Sequence, residues 1–448
     1  MTKLWRIVSV CMTLLVLYGC DSNLHDISVT ESKTGSESEQ TESAVYNSTE
    51  LSDDITTESF SNEEVVTFEE TGNVTEESND KMEETGLDSE IDSSTEMSQM
   101  QETYQSDRSD VFALLGQIKI GWNLGNSLDA HGTGNTLRSE TYWGNPKTTQ
   151  DMIDEIAKKG FNAIRIPVTY AEHVGGAPEY KIDKEWMDRV QEVVDYAMNA
   201  GLFVILDTHH EPDYWLKTDE EHESNAQKEL TAIWIQVAER FCDYDEKLIF
   251  EGMNEPRLKG SAEEWNGGTA SERRMVDTWN QAFVDAVRST GGNNETRLLI
   301  ICTYGNNASG NVLKELKIPE DDHIAVAVHM YTPYYFTFDV KEEGYSEWTG
   351  KEKASITNMV KQLNANLIQK DVPVIVTEFG AVNKQNSDEV IKWLDDYLGT
   401  MNLYGIKCFW WDNNCYDTNG ENFGIFNRKT LTWYNEKIAD ALIRNVER

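Results

Sequence analysis

Residues 108–448 predict an α/β fold, a (β/α)8 TIM barrel in which eight parallel strands alternate with helices. Three observations support this class: eight short apolar runs, helical periodicity in most intervals between them, and polar or aromatic side chains where most runs end. Strands that are buried on both faces are expected to read as continuous apolar runs. About 340 residues fit a barrel of roughly 250 residues with loop insertions.

The predicted strands are short and rich in valine, isoleucine, leucine and phenylalanine, and polar residues follow each run. This composition is typical of strands at the centre of a parallel sheet. The predicted strands are 118–125, 162–168, 202–209, 248–256, 297–305, 324–331, 372–380 and 406–413.

Helix start and stop signals flank several of the intervening segments. A threonine precedes and Gly160 follows the apolar-periodic stretch of 148–160, and Asp183 and Gly201 do the same for the next helix. An open, doubly wound sheet is the alternative, but no glycine-rich phosphate fingerprint follows any strand. The predicted helices are 148–160, 183–201, 225–242, 270–289, 352–369, 387–399 and 431–446.

Residues 1–20 are predicted to be a signal peptide. Lys3 and Arg6 supply a positive start, and the apolar stretch of 7–18 is too short to span a bilayer comfortably. The sequence LVLYGCD around Cys20 resembles the lipobox of bacterial lipoproteins, although Tyr18 is bulkier than the small residue usually found there. The resemblance implies lipidation of Cys20 and a lipid anchor on the extracellular side of the bacterial cell membrane. An uncleaved membrane anchor and simple secretion are the alternatives.

Residues 21–107 are predicted to be a disordered acidic linker. The segment has 25 acidic residues, two lysines and few large apolar residues. Such a composition cannot bury enough apolar surface to offset the entropy of ordering the chain. We therefore expect a self-repelling spacer, with an acidic binding tail as the alternative.

The remaining charge limits the class of partner. The whole chain carries −40, and subtracting the basic signal segment and the acidic linker leaves −19 on residues 108–448. An acidic domain argues against nucleic acid as a partner, whereas a neutral polymer is indifferent to this charge. We expect a monomer without a cofactor. We also expect no metal site, since the cysteines lack metal-binding spacing. Cys302 and Cys408 are expected to be core thiols.

Two glutamates, Glu255 and Glu378, follow apolar runs on different strands. In a parallel barrel the C-terminal strand ends meet at one mouth, so both carboxyls are expected there. Two carboxyls are the minimum equipment for cleaving a glycosidic bond. Other unusual residues at predicted strand ends, or within the strand in the case of arginine, are Arg165, Asp207, His209, Asn254, His329, Tyr331, Trp410, Trp411 and Asp412.

These residues lie in motifs that resemble glycoside hydrolase family 5, a family of (β/α)8 glycosidases. The motifs are GWNLGNSLDA, NAIRIPV, ILDTHHE, NEP, HMY, TEFG and WWDN, in family order across residues 108–448. The first and last look most like the subfamily that contains endo-β-1,4-glucanases, lichenases and xyloglucanases. The resemblance implies a barrel enzyme that acts on a β-glucan polysaccharide.

The resemblance also implies roles for individual residues. Glu255 would be the acid/base, which requires a raised pKa, and Glu378 the nucleophile, which must be ionised. Arg165 would supply a cation and Tyr331 a hydroxyl to Glu378. Asn254 resembles the family residue that holds the sugar 2-hydroxyl. A retaining mechanism predicts carboxyls about 5–5.5 Å apart, against about 6.5–9.5 Å for an inverting pair.

Further side chains are predicted around this pair. His209 and His329 would complete the hydrogen-bonded floor, and Asp207 would orient its neighbours. Trp411 is predicted to stack under a sugar ring, because pyranose C–H faces pack on indole, while Trp410 should point away from the mouth. Candidates for sugar hydrogen bonds are Asn126 and His210, and weaker candidates for the cleft wall are Trp143 and Trp215.

The resulting hypothesis is a retaining endo-β-1,4-glucanase. Xyloglucan, mixed-linkage glucan or mannan are alternative substrates for the same mechanism. A metal-dependent hydrolase is disfavoured because His209 and His210, as strand neighbours, point to opposite faces. A non-catalytic glycan-binding lipoprotein would have lost a carboxyl or its supports, yet every expected position is filled.

Overall fold

The computed structural model describes residues 107–341, 344–418 and 420–446, and in this part eight parallel strands close into a barrel. The strands follow one another in sequence order, and β1 pairs with both β2 and β8. The predicted (β/α)8 barrel is therefore confirmed. The strands are β1 Gly121–Asn123, β2 Ala163–Ile166, β3 Phe203–Asp207, β4 Leu248–Glu251, β5 Leu299–Cys302, β6 Ile324–His329, β7 Val374–Phe379 and β8 Lys407–Trp410.

The helices begin and end close to the predicted signals. Thr149 caps the first long predicted helix by accepting from the Met152 N–H, and Gly160 ends it with φ of 118°. Asp183 caps the next helix in the same way. The helices of the described residues are α1 Ser109–Gln117, α2 Ser139–Tyr142, α3 Gln150–Lys159, α4 Lys184–Asn199, α5 Glu223–Arg240, α6 Ala270–Arg288, α7 Gly310–Glu315, α8 Tyr334–Thr337, α9 Lys353–Asn366, α10 Ser387–Asn402 and α11 Glu436–Val446.

One predicted helix begins later than expected. Residues 431–446 were expected to be helical throughout, but an antiparallel hairpin of β9 (Phe426–Asn427) and β10 (Thr432–Trp433) occupies the start. The ring of Trp433 packs against Phe426 and stacks on Phe161. These tertiary contacts override the helical periodicity of the segment. The short helices α1, α2, α7 and α8 were not predicted.

The core fills the barrel and the layer between its strands and helices. Trp122, Trp234, Trp279 and Trp393 are fully buried within it, and truncating such a side chain typically costs about 3–5 kcal/mol. Cys302 and Cys408 are buried free thiols, so that prediction is confirmed.

The N-terminal predictions concern another part of the chain. The proposed signal peptide, 1–20, and the linker, 21–107 apart from its last residue, lie outside the described residues. Among the residues that the structure describes, no helix combines the length and apolar character needed to cross a membrane.

Two register shifts aim side chains into the barrel mouth. One lies between Val328 and His329 where β6 meets β7, and the other follows Val376 where β7 meets β8. A shifted register re-aims the residues that follow it. As a result His329 stands opposite Glu378 in neighbouring strands.

Candidate active site

A cavity of about 500 Å³ opens at the C-terminal ends of the strands. This is the end of a parallel barrel where active sites are found. Glu255 and Glu378 both line the cavity, together with His209, Tyr331 and Trp411. The structure thus brings together residues at or just beyond the ends of β3, β6, β7 and β8 and a residue from the loop after β4.

Arg165 lies beneath the cavity and holds three carboxylates. Its guanidinium is fully buried and lies 2.5 Å from Asp207, 2.6 Å from Glu251 and 2.8 Å from Glu378. Burial lowers the pKa of the guanidinium, but the three carboxylates outweigh burial and raise it. A buried arginine with several carboxylate partners is a fixed cation of defined orientation.

Glu378 receives hydrogen bonds from two sides. Arg165 Nη1 donates to Oε1 at 2.8 Å, and the Tyr331 hydroxyl donates to Oε2 at 2.9 Å. Burial raises the pKa of Tyr331, and the charge of Glu378 raises it further, so the phenol keeps the proton that it donates. Donors that favour the charged form stabilise a carboxylate. The geometry suits an ionised nucleophile.

Glu255 stands on a strained turn four residues beyond the end of β4. Its φ is 45°, a left-handed conformation that is uncommon for a residue with a side chain. The side chain of Asn306, which is fully buried, accepts the Glu255 backbone N–H at 2.8 Å. This contact holds the turn that points the carboxyl into the cavity.

The expectation of a raised pKa for Glu255 is wrong for the free protein. Burial raises the pKa of this carboxyl, but Arg257 and His329 outweigh burial and lower it to about 2. Arg257 Nη1 lies 3.2 Å from Oε2, and His329 Nδ1 lies 2.9 Å from Oε1. Opposite charges at such distances favour the carboxylate. Glu255 is therefore ionised in the free protein.

His329 also sets the separation of the two carboxyls. Its Nδ1 lies 3.5 Å from Glu378 Oε2 as well as 2.9 Å from Glu255 Oε1. One oxygen of each carboxyl and one ring nitrogen lie within 4.8 Å of one another. The two carboxyls are therefore near neighbours, as a pair that acts on one glycosidic bond requires.

Asn254 is oriented by the same arginine. Its Oδ1 accepts from Arg165 Nη2 at 2.8 Å, which turns the side-chain NH2 group toward other partners. Asn254 lines the cavity and is almost fully buried. The amide is placed to donate to a sugar hydroxyl.

Trp411 forms part of the cavity wall beside His209. The two rings are parallel within 5° and their centroids are 5.6 Å apart. Asp207 lies behind His209, with Oδ2 3.0 Å from Nδ1, and it also accepts the backbone N–H of Val168. Trp410 points into the protein as predicted, with its indole N–H bonded to a backbone carbonyl.

The other residues predicted to contact sugar differ in whether they line the cavity. His210 lines the cavity, but Asn126 is not among the lining residues and instead bonds through its backbone to Asp129. Trp143 packs edge-on against His210. Trp215 packs on the core outside the cavity wall. Asn126 and Trp215 therefore do not line this cavity.

Several residues of the site were not predicted. Glu251 is a buried charge inside an apolar strand, and that signal alone implies a buried cation partner. Arg257 follows Glu255 by two residues, but no local sequence pattern shows that its guanidinium returns to the Glu255 carboxyl. Asn306 and Glu421 come from distant loops, and only the fold brings them to the site.

Comparison with known proteins identifies relatives over most of the described chain. Residues 128–417 match the family model described as cellulase, glycosyl hydrolase family 5. Endoglucanase A of Ruminococcus albus is 52% identical over 338 residues, which cover 75% of this chain and 92% of the relative.

Solved structures show the same relationship. A xyloglucan-specific endo-β-1,4-glucanase from a metagenomic library, in complex with cellotriose, is 57% identical with a TM-score of 0.74, covering 75% of this chain and 99% of its own. A broad-specificity endoglucanase from Ruminococcus champanellensis with bound cellotriose is 43% identical with a TM-score of 0.73, covering 76% and 99%.

Proposed function

This chain belongs to the cellulase family, glycosyl hydrolase family 5, and from that premise we propose that it is an endo-β-1,4-glucanase that retains anomeric configuration. One observation carries the mechanism: Glu255 and Glu378 face one cavity, yet only Glu378 is bonded to both Arg165 and a phenol. Two carboxyls in different surroundings are suited to different tasks.

In the first step Glu378 attacks the anomeric carbon. The bond from that carbon to the leaving oxygen breaks, and the leaving oxygen takes a proton from Glu255. A covalent glycosyl-enzyme forms on Glu378. Arg165 and Tyr331 hold the carboxylate in place and aligned before attack, so little reorganisation is needed.

Glu255 takes up the proton of this step when substrate binds. In the free protein Arg257 and the hydrogen bond with His329 keep Glu255 ionised. A sugar that fills the cavity expels water, and loss of water disfavours the charged carboxylate. Glu255 is therefore protonated in the complex with substrate.

In the second step water replaces the leaving group. Glu255, now ionised, takes a proton from this water, whose oxygen attacks the anomeric carbon and releases Glu378. Asn254 donates to the 2-hydroxyl, a contact that strengthens at the transition state. Two inversions at one carbon give net retention.

The substrate is the β-1,4-linked glucan backbone. All three relatives above are described as endoglucanases, one of them specific for xyloglucan, and two are solved with cellotriose. Cellotriose is a fragment of that backbone. These three relatives therefore do not favour mannan as the substrate.

We further propose that the enzyme is a monomer anchored by lipid at Cys20 on the outer side of the cell membrane. The lipobox-like sequence LVLYGCD and the acidic spacer that follows support this proposal. Radiolabelled palmitate should label the expressed chain and not its Cys20→Ala variant. Equal labelling of both would contradict the anchor.

Hydrolysis of a substrate panel tests the proposed activity. The full chain is incubated with carboxymethyl-cellulose, mixed-linkage glucan, xyloglucan and mannan, with Glu378→Gln as the inactive control. We expect mid-chain cleavage of the β-1,4-glucans and a loss of several orders of magnitude in the variant, without loss of folding. Cleavage of mannan alone would overturn the substrate assignment, and an active Glu378→Gln would overturn the nucleophile.

A further inference from the structure

Three side chains beside the cavity, His131, His210 and Asp213, take no part in the proposed reaction. We propose that they form a binding site for a divalent transition-metal ion of the Zn²⁺ class. One ligand atom from each lies within 4.8 Å of the other two. Two imidazoles and one carboxylate are a donor set that zinc favours.

The separation of two of the atoms matches tetrahedral coordination. His131 Nε2 lies 3.4 Å from Asp213 Oδ2. Bonds of about 2.0–2.2 Å from one zinc ion to these atoms, at a tetrahedral angle, place them roughly 3.3–3.5 Å apart. The pair is therefore already at the spacing that a shared ion requires.

The Nδ1 atom of His131 already takes part in a hydrogen bond. The Tyr214 hydroxyl lies 2.9 Å from it. The Nε2 atom is therefore the ring nitrogen that remains for an ion.

The Nε2 atom of His131 is buried and, among the residues described, lacks a hydrogen-bond partner. It lies 3.4 Å from Oδ2 of Asp213. A buried polar atom without a partner is unfavourable unless another group or an ion satisfies it.

A second carboxylate, Asp129, lies near His210. Its Oδ2 atom is 3.7 Å from His210 Nε2, which is beyond hydrogen-bond distance.

Neighbouring side chains hold the proposed ligands in place, and one neighbouring positive charge opposes the binding of a cation. The Nδ1 atom of His131 is hydrogen-bonded with Tyr214, as the second nitrogen of a metal-binding histidine usually is with a neighbouring group. Trp143 packs edge-on against both imidazole rings. Lys259 pairs with Oδ1 of Asp213 and leaves Oδ2 for the ion, although its charge weakens metal binding.

Metal binding has a consequence for the cavity, because His210 also lines it. An ion on His210 changes the cavity wall at this residue. We therefore expect Zn²⁺ to act as a reversible inhibitor of glucan cleavage that a chelator removes. The site is independent of the catalytic assignment, since none of its ligands acts on the glycosidic bond.

Calorimetric titration of the full chain with Zn²⁺ tests the site, and Co²⁺ serves as a spectroscopic probe whose intense visible bands report tetrahedral coordination. The variants are His131→Phe, Asp213→Asn and Tyr214→Phe. His222→Ala is the matched control, since His222 also lies against an aspartate, Asp219, at 2.6 Å. Melting curves establish that each variant is folded.

We expect one ion per chain in the wild type and in the control, with tetrahedral Co²⁺ bands. His131→Phe and Asp213→Asn should lose this binding, and Tyr214→Phe should weaken it about 10–100-fold. A wild type that binds no ion, or binding that survives both ligand variants, would overturn the site. Binding that is lost instead in Glu255→Gln would place the ion on the catalytic pair and overturn it equally.

Discussion

His329 holds Nδ1 2.9 Å from Oε1 of Glu255, so the proposed acid/base shares a hydrogen bond with a group that can itself carry a proton. Arg257 lies on the other oxygen of the same carboxyl. The free protein therefore keeps Glu255 ionised, with a pKa of about 2. Under the proposed mechanism Glu255 takes up its proton only when substrate fills the cavity.

Glu255→Gln should slow the cleavage of substrates whose leaving group needs a proton far more than that of substrates whose leaving group does not. Cleavage of polysaccharide, whose leaving oxygen needs a proton, should fall about 10²–10⁴-fold. An aryl cellobioside with a strongly acidic phenol should lose far less in its first step. Added azide should restore turnover and give a β-glycosyl azide. Equal loss on both substrates without azide rescue would contradict the role, and exposed Glu239→Gln is the control.

Arg165→Met should destabilise the fold strongly. The substitution leaves Asp207, Glu251 and Glu378 in a buried cluster without their shared cation. Removing one partner of a buried ion pair costs about 3–5 kcal/mol. Arg274→Met is the control, because its pair with Glu223 is partly exposed and such pairs contribute about 0–1 kcal/mol. Urea unfolding measures both, and similar losses would contradict the central place of Arg165.

We expect the buried carboxyl of Glu421 to make the free energy of unfolding depend on pH. Burial, with the charges of Glu255 and Glu378, raises the pKa of this carboxyl from 4.5 to about 7. The folded state thus binds the proton more tightly than the unfolded chain, so stability is lost as pH rises from about 4.5 to about 7. Glu421→Gln removes this loss.

Urea unfolding at two pH values checks this sign. The variant should be more stable than the wild type at pH 8, by up to about 3 kcal/mol. The two proteins should be nearly equal at pH 4.5, where the wild-type carboxyl is protonated. Glu239→Gln, at an exposed position, should show no such pH-dependent difference. A variant that is less stable at pH 8 would contradict the burial of this charge.

Trp411→Ala should weaken the binding of cellotriose. The indole lines the cavity and lies parallel to His209, and ring packing contributes about 0.5–1.5 kcal/mol. In a Glu378→Gln background we expect a rise in Kd of about 2–13-fold. Trp215→Ala is the control, since that indole lies outside the cavity wall. Equal effects of the two substitutions would contradict a stacking role.

The sequence predicts the barrel well because its strands are buried on both faces. In the strand that carries Glu378, apolar residues come first and polar residues follow at the barrel mouth. The same short segment therefore predicts both the strand and the position of the functional residue. Helix caps at Thr149 and Asp183 are equally local. The hairpin at Thr432–Trp433 was missed because its contacts come from β2's side of the barrel, through Phe161.

The site was predicted in its members but not in its electrostatics. Residue types and strand ends place Glu255, Glu378 and Arg165 at one mouth. The low pKa of Glu255 depends on Arg257, which turns back toward the carboxyl, and on a histidine from another strand. The left-handed φ of Glu255 and its support by Asn306 likewise depend on the folded loop. Such contacts leave no local pattern in a sequence.

Trapping of the glycosyl-enzyme tests the central claim most directly. The protein is incubated with a 2-deoxy-2-fluoro-cellotriosyl fluoride, digested, and mapped by mass spectrometry, while NMR follows the first anomer released from cellohexaose. We predict one covalent label on Glu378 and the β-anomer as the first product. The α-anomer without a covalent label would show inversion, and a label on any other residue would show that Glu378 is not the nucleophile.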